Sequence, residues 1–233
     1  MNHASNKEIP EERKQGDIFA KKHRAHDHGE DMWLGRMACA KHYSSRLQTA
    51  VAQKEINGAA AEAYRALLLY VWDTNYFGAC HSTSAVLFIL LSEMGLKPHL
   101  CIGEVRFNGP CFDHSWVELD GEIFDVAISL PLPTGRSAGG PVFASVDLHS
   151  GKVSNVRFGI SDGVGLDSDA LVSLDNTLNA YAEVQRSLPS DRPDIWVLTL
   201  DIAQKLGLRC TVQDLIAKYG TVRREYRRGS TSI

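Results

Sequence analysis

No CxxC spacing occurs among the five cysteines (39, 80, 101, 111 and 210), and their number is odd. A structural zinc site and a disulfide framework are therefore not expected, and a reducing, cytoplasmic setting is. Long hydrophobic runs are also lacking. The longest, Ala85–Leu91, stops at Ser92-Glu93 and falls well short of a membrane span. The N-terminus is polar and charged, with no secretory pattern. Neither sign of charge dominates: the formal net charge is −3. That balance gives no footprint for nucleic acid or an anionic membrane. What is present is an ordinary globular composition. The 233 residues are 44% hydrophobic and 23% charged, enough for one substantial core with an appendage.

Residues 1–30 form a polar tail rich in histidine. His23, His26 and His28 have no partner ligands at a fixed spacing, so the reading is a solvated tail with no metal site and no cofactor. Met32–Ile56 carries a helical pattern ended by Asn57-Gly58, and Ala59–Trp72 reads as a second helix. The next segment, Gly78–Gly95, is apolar on nearly every side, as a core helix is, and Gly95 is its expected stop. Then the period changes. His99–Phe107, Cys111–Leu119 and Glu122–Ser129 read as strands joined by Asn108-Gly109 and Asp120-Gly121, the strongest short hairpin signals. A turn-rich loop follows at 131–141, then strand candidates Val142–Leu148 and Lys152–Ile160. From about Ser168 the chain reads as helical, ending in the basic run 223–228. Ile202–Gly220 has a helix-turn-helix look. Its second helix has few basic or amide side chains to read bases, so a packed helical hairpin is the expectation.

Cys80 stands where the core helix begins. There the unpaired N–H groups and the positive end of the dipole favour a thiolate. The hairpins then place two more residues. A two-residue turn at Asp120-Gly121 sets Trp116 opposite Asp125 and His114 opposite Ala127. His114 and Asp125 thus share a face as diagonal neighbours, within reach of a carboxylate–imidazole bond. The Asn108-Gly109 turn sets Gly103 opposite His114, leaving room beside the imidazole. Glu118 and Trp116 share this face, which is expected to be the less buried one. Val117, Leu119, Phe124, Val126 and Ile128 are expected on the other. Cysteine, histidine and acid in that order suit nucleophilic catalysis: thiolate, proton carrier, and a group that fixes the imidazole tautomer. Each residue alone is an ordinary core or sheet residue. The three together are not.

Together, CHSTSAVLFILLSEMGLKPHLCIGE and HSWVELDGEIFD resemble the core of the transglutaminase-like cysteine enzymes, over residues 72–133. The resemblance implies an α+β, papain-like core with the nucleophile helix packed on an antiparallel sheet. It implies Cys80 as nucleophile, His114 as base and Asp125 as orienting acid, in acyl-transfer chemistry on an amide or ester. The first oxyanion donor is the backbone N–H of Cys80, with Trp72, Asn75 or Tyr76 as candidates for the second. His81 and Trp116 are candidates for rim or substrate contact. Gly78-Ala79 stand where such enzymes often carry an aromatic residue before the cysteine, and their common arginine near the helix end has no counterpart in SEMGLKPHL.

The expected organisation is a tail (1–30), a catalytic core (31–165) with N-terminal helices, and a helical C-terminal extension (166–233). The expected activity is a cysteine hydrolase of peptidase or amidase type, working through a thioester. Its partner is a peptide or protein substrate, or a small amide or acyl donor, with no nucleic acid and no membrane. Rival readings are a transglutaminase or arylamine N-acetyltransferase type of acyltransferase, a peptidase trimming the leader of a modified peptide, and a non-catalytic peptide-binding module.

Overall fold

Two Xaa-Gly turns organise the main sheet. Asn108, Gly109, Asp120 and Gly121 all take positive φ (49°, 107°, 53° and 78°), the backbone of a primed turn that matches strand twist. They join β1 (His99–Arg106), β2 (Cys111–Leu119) and β3 (Glu122–Phe124). The ladders follow the turns: Gly103 faces His114, and Val117 faces Phe124. The computed structural model describes residues 42–54, 56–130 and 138–229, all within the unit Ala40–Ile233. The expected N-terminal tail, the start of the first helix and positions 131–137 of the turn-rich loop lie outside the described residues.

The third strand is shorter than its sequence suggests. After Phe124 the chain leaves the ladder, because Asp125 exchanges backbone hydrogen bonds of 2.8 and 2.7 Å with Val142. Among the described residues no strand then covers the β3-side edge of β2 beside His114. Val126–Leu130 fold into a turn, which moves Ile128 into the cluster around Trp116 and Phe158 rather than onto the Val117 face.

Three helices precede the sheet: α1 (residues 42–54), α2 (Gly58–Asp73) and α3 (Cys80–Glu93). Asn57 caps α2 by accepting from the Ala59 N–H at 2.8 Å. Gly95, at φ 80°, closes α3, and the Leu96 N–H reaches back to the Leu91 carbonyl at 3.1 Å. The apolar girth of α3 has neighbours to match, since the sheet, α2 and a later helix pack around it. β4 (Val142–Phe143), β5 (Val146–Asp147) and β6 (Lys152–Val153) form a small antiparallel sheet, and β7 (Arg157–Phe158) joins the end of β1. Then come α4 (Ser168–Asp175), α5 (Leu178–Ser187), α6 (Ile195–Lys205) and α7 (Val212–Tyr219). The last pair is the expected helical hairpin, with α7 opened by a Thr211–Asp214 capping box.

Three further expectations need correction. The C-terminal run is not wholly helical: Glu225–Arg227 form β8, which pairs parallel with β1 at Cys101–Gly103, so the main sheet is mixed. β1 offers that edge because β7 covers only Val105 and Arg106. The face carrying His114 is also not half-wet. Trp116 packs on Phe158 with ring centroids 5.2 Å apart, and both faces of β2 are buried. Gly103 accordingly makes room for β8 rather than for the imidazole, since a Cβ there would lie 2.4 Å from the Arg227 carbonyl oxygen. The architecture is α+β, with helices on an essentially antiparallel sheet and extra helices after it.

Candidate active site

The helix start is built open. Ala79, the N-cap of α3, offers no side-chain cap, and the first intrahelical donor is Thr83 N–H, to Ala79 O at 2.8 Å. The N–H groups of the Cys80 turn have no acceptor within the helix. A Ser or Asp at position 79 would occupy them. Cys80 sits at this end, partly buried.

His114 and Asp125 meet, although the expected pairings of Trp116 with Asp125 and of His114 with Ala127 do not form, because the β2–β3 ladder ends at Phe124. His114 Nε2 lies 2.6 Å from Asp125 Oδ2, and the two residues are 5% and 3% exposed. The carboxylate is held on its other oxygen, where Asp125 Oδ1 accepts the Ala127 and Ile128 N–H groups at 2.9 and 3.2 Å. The backbone of Asp125 is held too: Tyr64 Oη donates to its carbonyl at 3.1 Å. With Nε2 on the carboxylate, Nδ1 of His114 is the nitrogen left for Cys80.

Electrostatics couple the three. Burial alone opposes an imidazolium at His114, but Asp125 and Cys80, by charge and by hydrogen bond, raise its pKa to about 10. Burial likewise opposes a Cys80 thiolate. The charges of His81 and His114, with hydrogen bonds from both imidazoles, overcome this and hold the thiol well below its ordinary value. Both shifts favour the thiolate–imidazolium form of the pair.

His81 lies between Cys80 and the sheet. Its side chain bonds Cys80, and its Nδ1 lies 2.7 Å from Ser115 Oγ. Beyond it stands an acidic pair, Asp113 and Asp167. Burial first, then Asp167 and Cys80, raise the Asp113 pKa; the Ala170 N–H chiefly lowers that of Asp167, which also accepts a hydrogen bond from Asp113. The sequence pattern gives no hint of this pair, because Asp167 lies far along the chain as the N-cap of α4.

The other candidates divide. Trp116 is buried, with its Nε1 donating to Glu118 Oε1 at 3.1 Å. Glu118 also accepts from Arg227 at 3.0 Å, so it is an ion-paired residue rather than a solvated one. Trp72 leans on Tyr43, and its buried Nε1 has no acceptor among the described residues. Asn75 sits at φ 53° with its carbonyl held by Arg192 Nη2 at 3.1 Å. The Tyr76 ring lies under the Arg192 guanidinium, 5.0 Å from Cζ to centroid. Among the described residues no group of three or more His, Cys, Asp or Glu is arranged to hold a metal. No described helix is long and apolar enough to cross a membrane.

The profile of the transglutaminase-like superfamily matches residues 32–130. The chain carries a transglutaminase-like domain. That range takes in Cys80, His114 and Asp125, along with α2, α3 and the β1–β3 hairpins. Comparison with curated proteins and with solved structures returns no match. The transglutaminase-like domain thus holds the cysteine, histidine and acid, while α4–α7 and β8 lie beyond it.

Proposed function

We propose that the transglutaminase-like domain has a papain-like core and is a cysteine hydrolase acting on a peptide or amide through Cys80, His114 and Asp125. The observation that carries this reading is the 2.6 Å contact of His114 Nε2 with a buried, doubly anchored Asp125, on an imidazole that also bonds a thiol held below its usual pKa.

In this reading the Cys80 thiolate attacks the substrate carbonyl carbon, and the oxygen takes up the negative charge. The Cys80 N–H at the uncapped start of α3 stabilises that charge. Trp72, Asn75 and Tyr76 are the candidates for the second donor. His114 Nδ1–H passes its proton to the leaving amine as the C–N bond breaks, which leaves a thioester on Cys80 and a neutral imidazole. Water then attacks the thioester, His114 takes its proton, and the acid departs as the thiolate returns. Asp125 holds Nε2–H throughout and stabilises the charged imidazole. His81 helps to hold the resting thiolate and contacts the substrate from the side of Asp113.

An electrophilic thiol probe applied to the native protein, followed by mapping of the labelled cysteine and any trapped acyl group, tests the reading. The expected result is fast labelling confined to Cys80, with a mass increase on Cys80 when an acyl donor is supplied. A Cys80 no faster than the other thiols would favour the binding-module reading instead.

A further inference from the structure

The basic run at the C-terminus does not act as one patch. Arg227 pairs with Glu118 and Glu225 on the sheet, but Arg224 turns inward and is only 4% exposed. Its Nη2 donates to the His81 carbonyl at 2.8 Å and its Nη1 to the Ser173 carbonyl at 2.9 Å. Its Cζ stands 4.5 Å from the centroid of the Tyr181 ring. Tyr181 in turn places its hydroxyl 3.1 Å from Ser82 Oγ, which also accepts from Gln185 Nε2 at 2.9 Å. The two residues after Cys80 are thus both gripped by the segment that follows the transglutaminase-like match.

A buried guanidinium without an anion is costly. Arg224 has no carboxylate partner among the described residues, and its Nε has no acceptor. Burial chiefly lowers its pKa, and the two groups that work against this are Tyr181 and Cys80. Tyr181 cannot supply the negative charge near neutrality, because burial pushes its pKa up to about 12. The bond to the carbonyl of His81, the residue after Cys80, sets the guanidinium at the first turn of α3, where the Cys80 thiolate stands.

We infer that Arg224 is a positioning residue of the Cys80 site: it fixes the first turn of α3 through the His81 carbonyl and supplies a buried positive charge for the thiolate. The C-terminal segment therefore completes the site instead of decorating it. The inference rests on Cys80 being the nucleophile, and it adds a requirement that the three-residue site does not contain.

The test is the pH dependence of Cys80 alkylation by iodoacetamide, read by mass spectrometry on the full chain, in wild type, Arg224→Met and Arg224→Lys. Circular dichroism and thermal melting check the fold. With the charge removed, Arg224→Met is expected to raise the midpoint by about one pH unit and to slow labelling at pH 6 about tenfold. Arg224→Lys keeps the charge but loses the fork. It is expected to hold the midpoint within about half a unit while melting at a lower temperature. A purely structural role would move the melting temperature in both variants and the midpoint in neither. A low wild-type midpoint that a folded Arg224→Met leaves in place overturns this inference alone. An ordinary thiol midpoint in wild type overturns both it and the hydrolase reading. Should Arg224→Met fail to fold, Arg224→Gln, which keeps a donor for the His81 carbonyl, carries the same expectation, and an unshifted midpoint there overturns the inference.

Discussion

Replacing Asp125 with asparagine changes one atom and, in this site, reverses a hydrogen bond. Asp125 Oδ1 already accepts the N–H groups of Ala127 and Ile128. An asparagine must keep its oxygen there, or two buried donors lose their acceptor. Its NH2 then falls at the Oδ2 position, 2.6 Å from His114 Nε2, and can only donate. Neutral His114 would be forced into the tautomer with its proton on Nδ1, facing Cys80, so it could not take a proton from the thiol. The charge that raises the His114 pKa is lost with the carboxylate, and the thiolate loses its imidazolium partner in turn. Turnover is expected to fall by roughly two to four orders of magnitude, or about 3–5.5 kcal/mol of transition-state stabilisation. Folding should survive, since the volume and the Oδ1 contacts are kept. The assay is turnover of an acyl donor that labels Cys80, beside the Cys80 alkylation rate across pH. Glu118→Gln is the comparison, because Glu118 bonds Trp116 and Arg227 rather than His114. An Asp125→Asn variant with wild-type turnover and pH profile, alongside an inactive Glu118→Gln, would refute the tautomer argument and the identity of the acid together.

Native-state alkylation should discriminate among the described cysteines. Cys80 reacts first, while burial raises the pKa values of Cys101 and Cys210 and keeps both thiols protonated. Comparable rates at all sites, measured by peptide mapping, would contradict this. The Cys80 rate should hold a plateau from below neutrality upward, because its thiol pKa is lowered and the His114 pKa is raised. The sign for stability follows for His114. Its contribution is complete below the unfolded imidazole value of about 6.5 and fades as pH rises through about 10. Chemical denaturation of the wild-type chain at a series of pH values reads this, and Cys80→Ala is expected to bring the upper limit of the window down, because Cys80 is one of the groups that raise the His114 pKa. Gly103→Ala should cost about 1–3 kcal/mol, because its Cβ meets the Arg227 backbone oxygen at 2.4 Å and would drive β8 off β1. A thermal melt within a degree of wild type would count against that packing.

Local sequence determined the parts of this protein that depend on short-range rules. Two Xaa-Gly turns fixed the β1–β3 registers, because a two-residue loop with positive φ permits one pairing. That pairing carries the chain as far as Phe124 and leaves Asp125 one residue beyond the ladder. The girdle of Ala85–Leu91 and the stop at Gly95 defined α3 and left Cys80 at its open end. Tertiary structure decided what comes from distant chain. Asp125 leaves β3 because Val142 offers a better-placed backbone partner, and no period within the strand encodes that. The face around Trp116 is buried because β7, β8 and the turn at Val126–Leu130 cover it. Asp167, Tyr181 and Arg224 reach the first turn of α3 from far beyond it in sequence. In RREYRR, Arg224 and Arg227 are indistinguishable as letters, yet Arg224 ends in the core and Arg227 in part-buried ion pairs. Which becomes which depends on how β8 docks along β1, a long-range choice set by the open edge at Cys101–Gly103 and by the glycine there that lets another backbone approach.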